Sequence, residues 1–309
     1  AGGSGDDLAD ILFTSGTTGT PKGVPMTHAQ SLIACDAQQE EICRFTPDDV
    51  FAVTFPFAHN AGYRAGWQVS LLIGLCVVPV PIVEPGTLLK LIERERVSYL
   101  PAAPTVVQSM LDHPDFEAAD LSSLRKIATG GTTVPVKLIE DILARFSTQM
   151  RVITSYGLTE AAGSVTATQP GDSAQVIATT SGRPLSCVDL RILGPDGVEL
   201  PRGETGEIAL RAPQLTHGYH NNPEANATAF TADGFLLTGD GGWIDAAGNL
   251  HIADRIKDMF LVGGFNCYPA EIENLMGAMP GIGAVAVIGI DDERLGQVGR
   301  AYVVRADDR

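Results

Sequence analysis

The chain has 309 residues, 44% of them hydrophobic, and a formal net charge of −16. That length and apolar content suffice for one large domain, alone or with a smaller one. So acidic a protein repels phosphate backbones and anionic lipid surfaces, which argues against nucleic-acid and membrane-surface partners. The cysteines show no CxxC spacing, and we find no secretory signal or apolar run of transmembrane length. A cytoplasmic protein with reduced thiols is therefore predicted.

The first half of the chain alternates short apolar runs with helical patterns. Residues 8–14 predict a strand that enters a loop, and 50–55 and 75–80 predict buried strands. Thr87 is a candidate N-cap for a helix that carries Leu88 and Ile92.

Further along, Val136, Ile139, Leu143 and Phe146 recur at helical spacing, and 150–154 predicts another strand. Strands and helices in alternation predict a layered α/β architecture with a parallel-rich sheet.

The second half of the chain is richer in strands. Apolar and polar residues alternate along segments 188–193 and 207–211, which lie on either side of the turn sequence GPDG at 194–197. This pattern predicts a β-rich, barrel-like subdomain. After it, a helix over 269–276 and strands over 285–290 and 301–304 indicate the start of a small α+β domain.

The strongest functional signal is the segment 14–23, which reads TSGTTGTPKG. Its glycines let backbone amides turn toward an anion, its hydroxyls add donors, and Lys22 adds a positive charge. Such a loop after a strand suits a polyphosphate. Pro21 before the lysine and Gly23 after it exclude the P-loop of nucleotide triphosphatases. The alternative is a low-complexity surface turn.

Three shorter segments offer groups that suit a nucleotide. Segment 156–160, YGLTE, has a ring for a purine, a hydroxyl for a phosphate and a carboxylate for Mg²⁺, although a helix start capped by Thr159 is the alternative. Gly130 and Gly131 follow a predicted strand and permit close approach by a flat ligand, or form an ordinary tight turn. The carboxylate of Asp240 can accept hydrogen bonds from ribose hydroxyls, or serve a structural turn.

Segment 15–23 resembles the signature of adenylate-forming enzymes, namely acyl-CoA synthetases, luciferases and the adenylation domains of nonribosomal peptide synthetases. Further matches follow in the family's order over nearly all of the chain. The resemblance implies that Tyr156 packs by the adenine, Thr159 bonds the α-phosphate and Glu160 ligates Mg²⁺. It also implies that Asp240 binds the ribose and Arg255 the ribose or a phosphate.

The resemblance assigns the remaining positions as well. His59 lies at the carboxylate pocket, Lys257 is the hinge between two domains, and Gly263 and Gly264 line the channel of the thiol donor. The residues expected in catalysis are Lys22, His59, Thr159 and Glu160. The residues expected to bind ATP or AMP, or to line the thiol channel, are Thr14, Ser15, Gly16, Thr17, Thr18, Gly19, Lys22, Gly130, Gly131, Thr132, Tyr156, Gly157, Thr159, Asp240, Arg255, Gly263 and Gly264.

The implied reaction joins a small-molecule carboxylate, expected to be a fatty acid or a similar acyl acid, to coenzyme A. The carboxylate attacks the α-phosphate of ATP to give an acyl-adenylate and pyrophosphate, and the thiol then displaces AMP. The protein aligns the reactants and screens charge, with Mg²⁺ as cofactor. The alternatives are an adenylation domain that loads a carrier protein and a non-catalytic nucleotide-binding protein. Segment 58–61 lacks the aspartate of amino-acid-activating members, which favours coenzyme A.

The acid itself is less constrained by the sequence. The small residues Ala161, Ala162 and Gly163 leave room for a fatty, aryl or sterol-derived acid. The resemblance implies an AMP-binding large domain over 1–256 and an incomplete lid domain over 257–309. It also implies that the family's N-terminal part and its C-terminal lysine lie outside this sequence, so the 309 residues are expected to adenylate poorly.

Overall fold

A computed structural model of the chain describes residues 2–14, 21–130, 134–146, 149–255, 259–262, 265–292 and 294–306. The chain divides into two compact units, Ala1–Asp189 with Arg211–Gly234, and Leu190–Leu210 with Phe235–Arg309. The predicted division at residue 256 stays a prediction. Among the described helices, none has the length and apolar character needed to cross a bilayer.

The first unit contains short strands connected by helices. Its strands are β1 Leu8–Thr14, β2 Lys22–Thr27, β3 Val50–Val53, β4 Cys76–Pro79, β5 Tyr99–Pro101, β6 Lys126–Ala128, β7 Arg151–Ile153, β8 Ser155–Leu158, β9 Gly163–Ala167 and β10 Arg183–Pro184. Its α-helices are α1 His28–Ala37, α2 Asn60–Gly62, α3 Val69–Ile73, α4 Pro85–Glu95, α5 Pro104–Leu111, α6 Val136–Arg145, α7 Ala174–Thr179 and α8 Pro223–Ala229. Single π-helical turns lie at Gln38–Cys43 and Tyr63–Gln68, and 3₁₀ turns at Phe116–Ala118 and Thr159–Ala161.

A five-stranded parallel sheet forms the centre of this unit, in the order β4-β3-β5-β6-β7. The predicted α/β class with a parallel-rich sheet is thereby confirmed. Helices α4, α5 and α6 pack their apolar residues against it, and Leu100 and Ile127 at the centre are fully buried. Because parallel strands end at one edge, the segments after β3, β6 and β7 emerge on the same side of the sheet.

Three local predictions need correction. Helix α4 begins at Pro85, and the carboxylate of Glu84 caps it by accepting from the amides of Gly86 at 3.0 Å and Thr87 at 2.6 Å. Thr87 therefore lies inside the helix, since proline suits its first position.

The second correction concerns β4, which was predicted as a buried strand. It is an edge strand with Cys76 and Pro79 exposed. The third concerns α6, which buries Leu138, Ile139 and Ile142, whereas Leu143 is exposed.

The second unit is mostly antiparallel. Its elements are β11 Asp189–Leu193, β12 Gly206–Arg211, β13 Leu236–Ile244, β14 Leu250–Arg255, β15 Phe260–Val262, β16 Phe265–Cys267, α9 Pro269–Gly277, β17 Ile282–Asp292 and β18 Gly296–Arg305. One sheet has the order β11-β12-β13-β14 and the other β16-β15-β18-β17. The predicted turn at 194–197 is confirmed, because Gly197 donates to the carbonyl of Gly194 at 2.9 Å and has φ +76°.

Candidate functional site

The hairpin of β1 and β2 brackets the glycine-rich segment. Thr14 and Lys22 are direct partners in the antiparallel register, so both ends of the segment are held together. Gly23 leaves little room beside β1, since a Cβ there would lie 3.0 Å from Ile11. The predicted phosphate-binding residues within the segment lie outside the described residues, and these are Ser15, Gly16, Thr17, Thr18 and Gly19.

Two predicted catalytic residues, Lys22 and Glu160, meet on one tyrosine ring that the sequence analysis did not select. The ammonium of Lys22 lies 4.7 Å from the ring centroid of Tyr219. The hydroxyl of Tyr219 donates to Oε1 of Glu160 at 2.9 Å. Burial, together with the charge of Glu160, raises the pKa of Tyr219, so its hydroxyl stays a proton donor at neutral pH.

The chain around Tyr219 joins this turn to the hairpin. The amide of Thr216 donates to the carbonyl of Glu160 at 2.8 Å, and its hydroxyl donates to the carbonyl of Pro25 at 2.9 Å. The amide of His220 donates to the carbonyl of Gly23 at 2.8 Å. Segment 216–220 therefore fixes Glu160 relative to β2.

The YGLTE segment forms a strand and a tight turn. Tyr156 lies half-buried on β8, and Thr159 and Glu160 open the 3₁₀ turn before β9. Leu158 occupies the N-cap position without a side-chain bond, so the alternative of a helix capped by Thr159 is wrong. A Cβ on Gly157 would lie 2.3 Å from the carbonyl oxygen of Gly163, so only glycine fits there.

The described part of the segment after β6 consists of Thr129 and Gly130. Thr129 is buried, and its Oγ1 has no partner among the described residues. Gly130 has φ +152°, and no described atom lies within 4 Å of where its Cβ would be. The close approach of a flat ligand to this loop stays a prediction. Gly131 and Thr132 lie outside the described residues.

The segment after β3 places His59 at the surface, where its Nδ1 accepts from the amide of Ala61 at 3.2 Å and caps α2. The cap is a structural role that the sequence analysis did not foresee.

Next to His59, Asn60 is buried with its Oδ1 unpartnered among the described residues, and the same holds for Oε1 of Gln38. Both amides reach Gly163, whose Cβ would lie 3.4 Å from Gln38 and 3.9 Å from Asn60.

The second unit holds the other predicted nucleotide ligands. Asp240 on β13 and Arg255 on β14 are opposite each other in the register. The amide of Asp240 donates to the hydroxyl of Thr238 at 3.1 Å. Burial and the charge of Asp240 raise the pKa of Glu207, although its carboxylate accepts from the amide of Gly239. The side chain of Arg255 and the residues Lys257, Gly263 and Gly264 lie outside the described part.

Comparison with known proteins identifies the family of the chain. The model of a family described as AMP-binding enzyme matches residues 2–220. The chain belongs to the AMP-binding enzyme family. The matched range contains the glycine-rich segment, the YGLTE turn and Tyr219, whereas Asp240 and Arg255 follow it.

Several known proteins are similar to nearly the whole chain. A 3-[(3aS,4S,7aS)-7a-methyl-1,5-dioxo-octahydro-1H-inden-4-yl]propanoyl:CoA ligase of Mycobacterium tuberculosis is 47% identical over 96% of this chain and 56% of its own length. The ATP-bound MatB of Rhodopseudomonas palustris is 33% identical with a TM-score of 0.88, over 99% of this chain and 59% of that one.

A third similar protein is the Bacillus subtilis o-succinylbenzoate CoA synthetase in complex with ATP and magnesium ion. It is 30% identical with a TM-score of 0.86, over 98% of this chain and 61% of that one. The chain thus spans somewhat more than half the length of these AMP-binding relatives. The predicted resemblance to adenylate-forming enzymes is confirmed, and the roles of single residues stay predictions.

Proposed function

We propose that the protein activates a carboxylic acid with ATP, forming an acyl-adenylate that is transferred to coenzyme A. The observation that carries this proposal is the convergence of Lys22 and Glu160 on Tyr219, beside the hairpin that holds the glycine-rich segment. A positive charge and a carboxylate next to such a segment suit a polyphosphate and its divalent ion. The similarity to CoA ligases over 96% of the chain supports the same reaction.

The residues present fit Mg²⁺ bound through a nucleotide. Among the described residues no group of three or more His, Cys, Asp or Glu could form a protein-only metal site. Mg²⁺ usually takes one or two carboxylates together with phosphate oxygens and water, and Glu160 offers one carboxylate with its Oε1 already oriented. When bound there, Mg²⁺ would neutralise negative charge on the phosphates.

The chain's own residues would then align the reactants. Lys22 and Thr14 would hold the phosphates, and Thr159 would bond the phosphate that the acid attacks. Tyr156 and Gly130 would bracket the adenine. Asp240 and Arg255 would bind the ribose. Positioning of the reactants and charge screening suffice for this chemistry, because neither adenylate formation nor transfer to coenzyme A requires a protein nucleophile.

We infer that the acid is bulky and cyclic. Gly163 carries no side chain where it adjoins Gln38 and Asn60, next to the predicted acyl region around His59, whereas Ala161 and Ala162 are buried in the core and leave no room for the acid. The relative from Mycobacterium tuberculosis is named as the ligase of a fused bicyclic propanoate, and 47% identity makes a similar acid class the first choice. A fatty acid and an aryl acid are the competing classes.

The cytoplasmic location predicted above stays a prediction.

The test measures pyrophosphate and AMP release with ATP, Mg²⁺ and coenzyme A against a bicyclic propanoate, a hydroxycinnamate and a long-chain fatty acid. It is run on the 309-residue chain and on any longer polypeptide that contains it. In the longer polypeptide we expect acid-dependent release that is strongest with the bicyclic acid, and in the 309-residue chain we expect only weak release. ATP binding by the longer polypeptide without acid-dependent release would favour a non-catalytic nucleotide-binding protein. Adenylate formation with transfer only to a carrier protein would favour the adenylation-domain alternative.

A further inference from the structure

The bond between the hydroxyl of Tyr219 and Oε1 of Glu160 points to a role for Tyr219 in the ATP site. We propose that Tyr219 is a positioning residue that fixes the Glu160 carboxylate and thereby sets the affinity of the ATP site for its divalent cation. This inference rests on the proposed function of Glu160. The 2.9 Å bond occupies one carboxylate oxygen and restricts rotation of the group. Carboxylates that bind metals are generally held by such second hydrogen bonds.

Tyr219 is itself held rigidly at its backbone. The side-chain amide of Asn226 accepts from the amide of Tyr219 at 2.6 Å and donates to its carbonyl at 3.0 Å. Gly218, with φ +139°, adopts a conformation that favours glycine, and a Cβ there would lie 3.0 Å from Oδ1 of Asn226. Asn226 precedes the end of α8, whose first turn is capped by Asn222 through the amide of Ala225. The backbone that carries the Tyr219 side chain is therefore held in place.

The ring of Tyr219 is also fixed by packing. It lies against a buried cluster formed by Val24, Met26, Ala34 and Ala162. Val24 and Met26 belong to β2, and Ala162 lies two residues after Glu160, so the ring contacts both sides of the candidate site. Because backbone and ring are both constrained, the hydroxyl has little freedom to follow a moving carboxylate.

The same ring also receives the ammonium of Lys22 on its face. The ring of Tyr219 attracts the ammonium of Lys22, and its hydroxyl holds the carboxylate of Glu160. Tyr219 therefore keeps the two opposite charges apart. Without the hydroxyl, the carboxylate gains rotamers and can turn toward Lys22. Both changes weaken the cation site without removing any of its ligands.

The experiment compares the wild-type chain with Tyr219→Phe, which keeps the ring and its packing. Calorimetry measures ATP binding at a series of MgCl₂ concentrations, and electron paramagnetic resonance follows Mn²⁺ binding in the presence of ATP. We expect Tyr219→Phe to need roughly tenfold more Mg²⁺ for half-maximal ATP binding, and to bind Mn²⁺ about tenfold more weakly. At saturating Mg²⁺, ATP affinity should return to within about twofold of wild type.

The matched control is Tyr63→Phe. The hydroxyl of Tyr63 also donates to a carboxylate, that of Asp10 at 3.0 Å, and Tyr63 is likewise half-buried. This variant loses the same kind of bond, but Asp10 keeps its ion pair with Arg64 at 2.8 Å, so the Mg²⁺ dependence of ATP binding should equal that of wild type. If both variants shift the Mg²⁺ dependence equally, the effect is general and the proposal is wrong.

Two further outcomes are decisive. A Tyr219→Phe chain whose Mg²⁺ and Mn²⁺ dependence stays within twofold of wild type overturns the positioning role, while the proposed function stands. A wild-type chain that binds ATP without any Mg²⁺ dependence overturns the metal role of Glu160 instead. If Tyr219→Phe does not fold, Asn226→Asp replaces it, because it keeps the acceptor and loses the donor to Tyr219. An unchanged Mg²⁺ dependence in that variant also counts against the proposal.

Discussion

The guanidinium of Arg64 donates to Oδ1 of Asp10 at 2.8 Å, and the arginine side chain is almost completely buried. Asp10 lies on β1, which leads into the glycine-rich segment, and Arg64 lies on the π-helical turn that follows the His59 segment. The pair thus ties the predicted phosphate hairpin to the predicted acyl region. Nε and Nη1 of Arg64 have no partner among the described residues.

Asp10→Ala should strongly destabilise the chain. It leaves the Arg64 guanidinium buried without its partner charge, which typically costs about 3–5 kcal/mol. The free energy of unfolding from urea titration measures the loss. Asp141→Ala is the control, because its ion pair with Lys137 has an exposed lysine and should contribute less than about 1 kcal/mol. Equal losses in the two variants would contradict the structural role of the buried pair.

Asp49 should make stability depend on acid pH. Burial alone would raise its pKa, but hydrogen bonds from Ser98 and the amide of Thr46 and the charge of Lys126 outweigh burial, so the pKa is lowered. A lowered pKa in the folded state stabilises the protein above the unfolded value of about 4, and this contribution is lost as the pH falls through the folded pKa. Urea titrations from pH 7 to pH 3 should show this loss.

The matched variant for that experiment is Asp49→Asn. It should unfold more easily than wild type at pH 7, because Arg125 and Lys126 lose their charged partner. The difference in unfolding free energy between the two proteins should shrink as the pH falls below about 4, because Asp49 then binds a proton in the unfolded wild type while its lowered pKa keeps it ionised in the folded state. If the difference in unfolding free energy stayed constant from pH 7 to pH 3, Asp49 would stabilise the protein through its shape and not through its charge.

Gly157→Ala should disturb the turn that carries Glu160. The added Cβ would lie 2.3 Å from the carbonyl oxygen of Gly163, and backbone must move to relieve it. We expect a destabilisation of roughly 1–3 kcal/mol and weaker binding of Mg²⁺-ATP. Gly277→Ala is the control, since no described atom lies within 4 Å of its Cβ and the position is helical. That change should be neutral or stabilise by up to about 1 kcal/mol.

Gln38→Leu should separate acid binding from nucleotide binding. Oε1 of Gln38 has no partner among the residues that the structure describes, and such a buried amide oxygen costs about 1–3 kcal/mol, so the leucine variant should be at least as stable as wild type. If Gln38 instead serves the acid, the concentration of acid for half-maximal pyrophosphate release should rise about tenfold while Mg²⁺-ATP affinity stays constant. If the concentration of carboxylic acid for half-maximal release stayed unchanged, the role of Gln38 would be purely structural.

Local patterns in the sequence predicted four of the five strands of the parallel sheet, all but β5, and the edge of the sheet where the site is expected. Apolar runs followed by glycine and threonine identified β6 and β7 and the segments after them, because these signals are local. The start of α4 was misplaced since Glu84 and Thr87 are both competent caps and only the backbone decides between them. The exposed face of β4 depends on its position at the sheet edge, which no local pattern specifies.

Tyr219 shows why part of the site was beyond prediction. Its partner Glu160 lies 59 positions earlier in the chain, and Lys22 is farther still. A single tyrosine after a glycine carries no periodicity or motif that distinguishes it from a packed core residue. Only the fold brings its ring to the two charged groups. The same holds for Gln38 and Asn60, whose common neighbour Gly163 comes from a third segment.

The placement of His59, Thr129 and Tyr156 after three different strands of one parallel sheet has an evolutionary consequence. Each connecting segment can change its sequence without altering the buried residues of the strands before it. A lineage with this architecture can therefore change its acid through the His59 segment, which we propose for the acid, while the segments that we propose for the adenine stay unchanged. That freedom is consistent with the different names of its relatives, one for a fused bicyclic propanoate and another for o-succinylbenzoate.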